Sequence, residues 1–255
     1  MSWDPSQYLL FADQRRRPGV ELLARIGAAN PALIYDLGCG AGNLTRLLAE
    51  RWPQAKLIGL DSSAAMLEKA RAEAPAITWQ LADLAAWRPG EPADVLYSNA
   101  ALQWIDGHRT LFPALVDALA PGGTLAVQMP RNHDAPSHTG MAEAARSGPW
   151  RAKLEPLLRE HPTLPPQDYF DILTGAGIKA DIWEVDYLQQ LAGENAVVEW
   201  TKGTALKPLL DALDEPWRGQ FLADYTARMA KAYPRRADGV TLFTFRRLFI
   251  VAVKR

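Results

Sequence analysis

Cysteine is nearly absent from this 255-residue chain: Cys39 stands alone, so no intrachain disulfide can form, and a reducing, cytoplasmic setting is expected. Long apolar runs are also missing. None approaches the ~20 residues needed to span a bilayer, and Met1-Ser2-Trp3-Asp4-Pro5 lacks the basic-then-apolar layout of a secretory signal. Charge of one sign is not in excess. The 28 Lys and Arg balance 29 Asp and Glu, for a net charge of −1 and a pI near 6.4, which argues against a nucleic-acid partner. His108, His133, His138 and His161 show no metal-ligand spacing, so no metal is expected. There is no internal repeat or low-complexity tract. What remains is 48% hydrophobic and 22% charged, the composition of a soluble α/β enzyme.

The most informative stretch is Asp36-Leu37-Gly38-Cys39-Gly40-Ala41-Gly42, directly behind the apolar run Leu33-Ile34-Tyr35. An acid closes a strand, and glycines then alternate with small residues where a helix begins. Glycine lets the backbone turn tightly and approach a ligand with no Cβ between them, and the helix start presents unpaired N–H groups to it. The dinucleotide fingerprint requires glycine at its first, third and sixth positions. Those positions are Gly38, Gly40 and Asn43, so a nicotinamide dehydrogenase is disfavoured. Cys39 in this loop needs only a small side chain.

Two further acids narrow the reading. Lys56-Leu57-Ile58-Gly59-Leu60-Asp61 is a second buried strand ending in a carboxylate, which suits both hydroxyls of a ribose. Ile77-Thr78-Trp79-Gln80-Leu81-Ala82-Asp83 gives a third strand with its acid, Asp83, just beyond it. Each Asp alone has an ordinary explanation as a helix cap or turn residue. Three acids ending successive strands point to a cofactor that carries an adenosine.

Strand and helix alternate through the first half. Gln7 to Ile26 reads as a helix interrupted at Pro18. Asn43 to Trp52 and Ala64 to Ala74 follow as helices, the latter capped by Ser62 or Ser63. Strands are expected at Ala93 to Ser98 and Thr124 to Gln128. Between them a helix from Thr110 to Ala120 ends at the breaker Pro121-Gly122-Gly123. Such units imply a parallel sheet covered on both faces, with ligands at the carboxyl ends of the strands. After Met129 the pattern changes. A short helix spans Asp168 to Ala176, a strand spans Asp181 to Gln189, helices fill Glu194 to Tyr233, and Leu248 to Val253 closes the chain as a buried strand. No flexible linker stands out, so residues 1–255 read as a single domain with an N-terminal helix at 5–28 and a helical cap insertion at about 190–238.

Asp-x-Gly-x-Gly-x-Gly resembles motif I of the class I S-adenosylmethionine-dependent methyltransferases. Trp3-Asp4-Pro5-Ser6-Gln7-Tyr8, Asp61-Ser62-Ser63, Ser98-Asn99-Ala100-Ala101-Leu102-Gln103-Trp104, Gln128-Met129-Pro130 and Arg247-Leu248-Phe249-Ile250-Val251-Ala252 resemble, within that class, the trans-aconitate 2-methyltransferases. So do Tyr169-Phe170-Asp171-Ile172-Leu173 and Ile182-Trp183-Glu184. The likeness runs nearly end to end. One departure is Arg246, where the family usually carries proline.

The resemblance implies a Rossmann-like seven-stranded sheet, mostly parallel with an antiparallel last strand. It also implies methyl transfer from S-adenosylmethionine to a carboxylate of trans-aconitate, or, as the alternative, of another small acid or a carrier-bound acyl group. Gly38 and Gly40 would lie against the methionyl part with Asp36 near its amino group. Asp61, with Ser62 in the same cofactor-binding set, would hold the ribose. Met66 would pack on the adenine, Asp83 and the Leu84 amide would read its edge, and Asn99 and Trp104 would sit by the sulfonium. For the tricarboxylate, Arg131, His133, Arg246 and Arg247 are expected at the rim and Tyr8 over the pocket, whereas Lys202 and Lys207 read as solvated surface charges. A carboxylate is already ionised near neutral pH, so no proton-transferring catalytic residue is expected.

Overall fold

The computed structural model describes residues 12–159, 161 and 163–255. The chain divides into two compact units. Of the described residues, the sheet unit comprises 15–130, 163–185 and 247–255, and the helical unit 12–14, 131–159, 161 and 186–246.

Seven strands form one sheet in the order β3-β2-β1-β4-β5-β7-β6. They are β1 Leu33–Leu37, β2 Lys56–Asp61, β3 Thr78–Leu81, β4 Ala93–Asn99, β5 Leu119–Pro130, β6 Lys179–Ala192 and β7 Val240–Val253. The first five pair in parallel, and β7 runs antiparallel to β5. Residues 179–185 and 247–253 of the last two strands belong to the sheet unit, 186–192 and 240–246 to the helical unit.

The central strands are apolar on both faces because helices cover both. Every residue of β1 is buried. Leu33, Tyr35 and Leu37 face one core, shared with Leu111, Phe112 and Leu115 of the helix His108–Asp117. On the β4 neighbour, the Tyr97 hydroxyl donates to the Gly19 carbonyl at 2.8 Å, which seats helix α1 (Ala12–Ala24). A Cβ on Gly19 would fall 2.4 Å from Leu44, so this close approach needs glycine. Below the glycine loop, the Trp79 ring fills the space that side chains at Gly42 and Gly59 would take, at 2.4 and 2.5 Å. The helical unit has its own core. Trp150, Trp200, Phe221, Tyr225, Phe243 and Phe245 are buried in it.

Several boundaries differ from the expectation, each for a physical reason. Helix α1 runs through Pro18 unbroken. Pro18 and Gly19 are both buried, and this packing offsets the roughly 3 kcal/mol of an interior proline. The helix His108–Asp117 stops short of the expected Ala120, and Pro121-Gly122-Gly123 lies within β5 rather than at a helix terminus. There Leu119 pairs with Ala93 and Thr124 with Val95, so the intervening residues bulge from the strand, helped by Gly122 at φ 78°. The last strand begins at Val240, eight residues before the first of the run Leu248–Val253. The remaining β-α units fall within about three residues of expectation.

Candidate active site

Asp36, Asp61, Asp83 and Asn99 come from four strands that are neighbours in the order β3, β2, β1, β4, and all sit at or just beyond the carboxyl end. The loop after β1 crosses the end of β2: the N–H groups of Gly38 and Cys39 both donate to the Leu60 carbonyl, at 2.7 and 2.9 Å. Gly38, Gly40 and Gly42 adopt φ of 79°, 55° and 79°, the left-handed region that favours glycine. Their roles differ. A Cβ on Gly38 would strike the Ala101 methyl at 2.2 Å and one on Gly42 the Trp79 ring at 2.4 Å, whereas one on Gly40 would meet nothing within 4 Å. Two of the glycines serve packing, and Gly40 is the one that opens onto free space. Helix Asn43–Arg51 starts at Gly42 with no side-chain cap, leaving its first N–H groups for a ligand.

Asp61 organises the next turn. Its Oδ2 accepts the Gly40 N–H and its Oδ1 the Ser63 N–H, both at 2.8 Å. A carboxylate has about four acceptor positions, so capacity remains for a ligand's hydroxyls. Ser63, not the exposed Ser62, caps the helix Ala64–Glu73: its Oγ accepts the Met66 N–H at 3.4 Å, which sets Met66 in the first turn. Asp83 is exposed, and its Oδ1 accepts the Ala85 N–H at 3.0 Å, with Leu84 half-buried in that turn.

Asp36 is deeper. It is buried, with Thr45 Oγ1 donating to its Oδ2 at 2.6 Å. Burial pushes its carboxyl up to about 7, the Asp61 charge adds to this, and the Thr45 bond opposes it. The same burial, with Asp36 and Asp61 nearby, drives the Cys39 thiol far above its ordinary value, so it stays protonated and unreactive.

Asn99 ends β4, and its Oδ1 is buried with no hydrogen-bond partner. Trp104 closes the single turn Leu102–Trp104. That turn is fixed by Gln103 Nε2 donating to the Ala100 carbonyl at 2.7 Å and by His108, whose Nε2 lies 2.9 Å from the Leu102 carbonyl. A carbonyl only accepts, so Nε2 carries the proton and Nδ1 accepts from the Tyr169 hydroxyl.

The expected acid-binding residues divide between the units. Arg247 belongs to the sheet unit. It is buried, pairs in register with Pro130 at the end of β5, and donates from Nη1 to Gln128 Oε1 at 3.3 Å. Arg131, His133 and Arg246 belong to the helical unit. The Arg131 N–H donates to the Arg246 carbonyl at 3.0 Å, and the Arg246 guanidinium grips Asp186 through Nε and Nη2 at 2.8 and 3.0 Å. His133 was expected among the cations. Burial, then His138, His161, Arg131 and Arg159, push its pKa down to about 3, so it is a neutral imidazole at neutral pH. Tyr8 lies outside the described residues. Gln128 and Thr45 were not singled out as site residues. A polar side chain inside the apolar run of β5 was the available signal for Gln128.

Among the described residues no group of His, Cys, Asp and Glu could hold a metal ion, and no helix is long and apolar enough to cross a membrane. A family model described as "Methyltransferase domain" matches residues 34–123. The chain is 50% identical over 264 residues to a trans-aconitate 2-methyltransferase of Streptomyces coelicolor, covering 99% of this chain and 87% of that one. It is 47% identical over 253 residues to a trans-aconitate 2-methyltransferase of Azoarcus sp., covering 99% of each. The chain belongs to the trans-aconitate 2-methyltransferase family.

Solved structures agree on the fold. A Haemonchus contortus phosphoethanolamine N-methyltransferase, in complex with S-adenosylhomocysteine, superposes with a TM-score of 0.55 at 17% identity, covering 93% of this chain and 52% of that one. The YcgJ protein of Bacillus subtilis does so with a TM-score of 0.59 at 14% identity, covering 93% and 97%. The seven-stranded sheet with its antiparallel β7 is thus the Rossmann-like class I methyltransferase fold, as the resemblance implied. The cofactor of this family and fold is S-adenosylmethionine.

Proposed function

We propose that the protein transfers a methyl group from S-adenosylmethionine to a carboxylate oxygen of trans-aconitate, giving a monomethyl ester and S-adenosylhomocysteine. The observation that carries this reading is the coincidence of near-full-length kinship with a carboxyl-edge row of Asp36, Asp61 and Asp83 around an opening at Gly40.

The residues suit the cofactor. Asp61 keeps acceptor capacity for ribose hydroxyls, the buried Asn99 Oδ1 is an acceptor left over, and Asp36 offers a carboxylate whose charge an adjacent ammonium would favour. S-adenosylmethionine supplies, when bound, the methyl carbon activated by its sulfonium. Gly38, Gly40, Met66, Leu84 and Trp104 would complete the cofactor contacts, with Ser62 in the same set.

The chain's own contribution is orientation and field rather than proton transfer. The nucleophile is a carboxylate, ionised well below neutral pH, so it needs no base. Arg247 brings a permanent cation into the sheet unit, and a guanidinium pairs with a carboxylate through two parallel hydrogen bonds. Holding the attacking oxygen in line with the methyl–sulfur bond can lower the barrier by about 7–11 kcal/mol at best. The decisive experiment incubates the purified protein with labelled S-adenosylmethionine and a panel of di- and tricarboxylic acids. Base-labile label with trans-aconitate above the other acids is expected, and its absence across the panel overturns the proposal.

A further inference from the structure

Gln128 is fully buried near the carboxyl end of β5, and its amide is only half used. Oε1 accepts from Arg247 Nη1 at 3.3 Å, while Nε2 is buried with no hydrogen-bond partner. The orientation of the amide is not arbitrary. Turned the other way, Nε2 would face a guanidinium that can only donate, setting two donors against each other. Gln128 therefore accepts from Arg247 at the cost of leaving a buried donor unsatisfied, an arrangement that destabilises a protein interior.

A leucine or methionine would fill this strand position without that cost, and the neighbours Ala126, Val127 and Met129 are all buried apolar side chains. Strand register adds a second observation. Gln128 is the pairing partner of Asn99 on β4, so both side chains project from the same face of the sheet, and Asn99 also has a buried atom, Oδ1, with no partner. Arg247 projects from this face too, because Gln128 pairs with Phe249, two residues along β7. A partly satisfied polar row beneath an arginine has a cost in stability, which points to a role in how that arginine is held.

We infer that Gln128 is a positioning residue for the acid substrate: it sets the Arg247 guanidinium through a neutral acceptor. This rests on the methyltransferase reading above. A neutral acceptor orients the guanidinium, whereas a carboxylate at the same place would pair with it and compete with the incoming acid. The discriminating substitution is thus Gln128→Glu, which keeps the size and the accepting oxygen but adds charge.

The experiment compares wild type, Gln128→Glu, Gln128→Met and Gln128→Asn. It measures the trans-aconitate dissociation constant by calorimetry, the KM and kcat for the acid, the S-adenosylhomocysteine dissociation constant and the thermal midpoint. The expected result is a rise in trans-aconitate Kd and KM of about tenfold or more in Gln128→Glu, and a smaller rise in Gln128→Met. Affinity for S-adenosylhomocysteine should stay within about twofold. A Kd and KM for the acid unchanged in all variants overturns the inference, and so does a loss of both ligands in parallel with the midpoint. Should Gln128→Glu fail to fold, Gln128→Asn decides: it retracts the amide by one methylene, and an unchanged acid Kd there overturns the inference equally. If wild type itself neither binds nor methylates trans-aconitate, the functional proposal falls first, an outcome distinct from active wild type with indifferent variants.

Discussion

The two units bury titratable groups for the same physical reason and reach opposite results. In the sheet unit, burial raises the Asp36 carboxyl to about 7. In the helical unit, burial lowers His133 to about 3 and His138 to about 4. Desolvation penalises whichever form is charged, so the anion-forming group goes up and the cation-forming groups go down. The pH slopes follow. The folded state binds Asp36's proton more tightly than the unfolded chain does, so its contribution to stability is full below about 4 and is lost as pH rises through about 7. For the two histidines the contribution is full above the ordinary value of 6.5 and is lost as pH falls towards about 4 and 3. At these residues acid favours the sheet unit and weakens the helical one. The unit that carries the acidic row thus keeps a carboxyl whose ionisation a cationic ligand can decide at neutral pH, while the other keeps its imidazoles uncharged there.

The strongest way to break this contrast is at Asp61. Asp61→Ala should weaken S-adenosylmethionine binding by about a hundredfold or more, since it removes the carboxylate proposed to accept the ribose hydroxyls and orphans the Gly40 and Ser63 N–H groups. Calorimetric titration checks it, and an affinity within a few fold of wild type would refute the ribose assignment. Next comes Arg247→Met, expected to raise the trans-aconitate KM by about tenfold to a hundredfold while cofactor affinity changes little. Equal losses for both ligands would mean that Arg247 acts on the sheet as a whole.

Smaller effects sharpen the pH argument. In Asp36→Asn the fall in thermal midpoint between pH 5 and 8 should flatten relative to wild type, because the proton that wild type loses is no longer there to lose. In His133→Gln and His138→Gln the midpoint should drop less between pH 6.5 and 4 than in wild type. If either pair of curves stays parallel, the contrast between the units fails at that residue. The smallest effect is expected at Asp186→Asn, which breaks the exposed pair with Arg246. Half-exposed ion pairs contribute about 0.2–1 kcal/mol, and that contribution should vanish in molar salt.

Much of the sheet unit was legible because its signals are local. An apolar run followed by an acid or glycine marks the end of a buried strand, and β1, β2 and β4 fall where those patterns lie. The acids and glycines of the candidate site were visible for the same reason. What escaped depends on partners far away in sequence. Pro18 reads as a helix breaker until Leu44 and Tyr97 are seen packed on the following glycine. Pro121-Gly122-Gly123 reads as a terminus until β4 pairs on either side of it. The start of β7 at Val240 is hidden because Thr241, Thr244, Arg246 and Arg247 interrupt its apolar pattern. The division of roles among Gly38, Gly40 and Gly42 needs the positions of Ala101 and Trp79, which no local pattern supplies.

The closeness of Gly38 to Ala101 limits how the two loops can change. Ala100 already adopts φ 54°, unusual for a residue with a Cβ, and the methyl of the next residue occupies the volume a side chain at 38 would need. A side chain at 38 would therefore have to displace the Ala101 methyl, and with it the turn after β4. The turn after β1 and the turn after β4 are in effect moulded on each other.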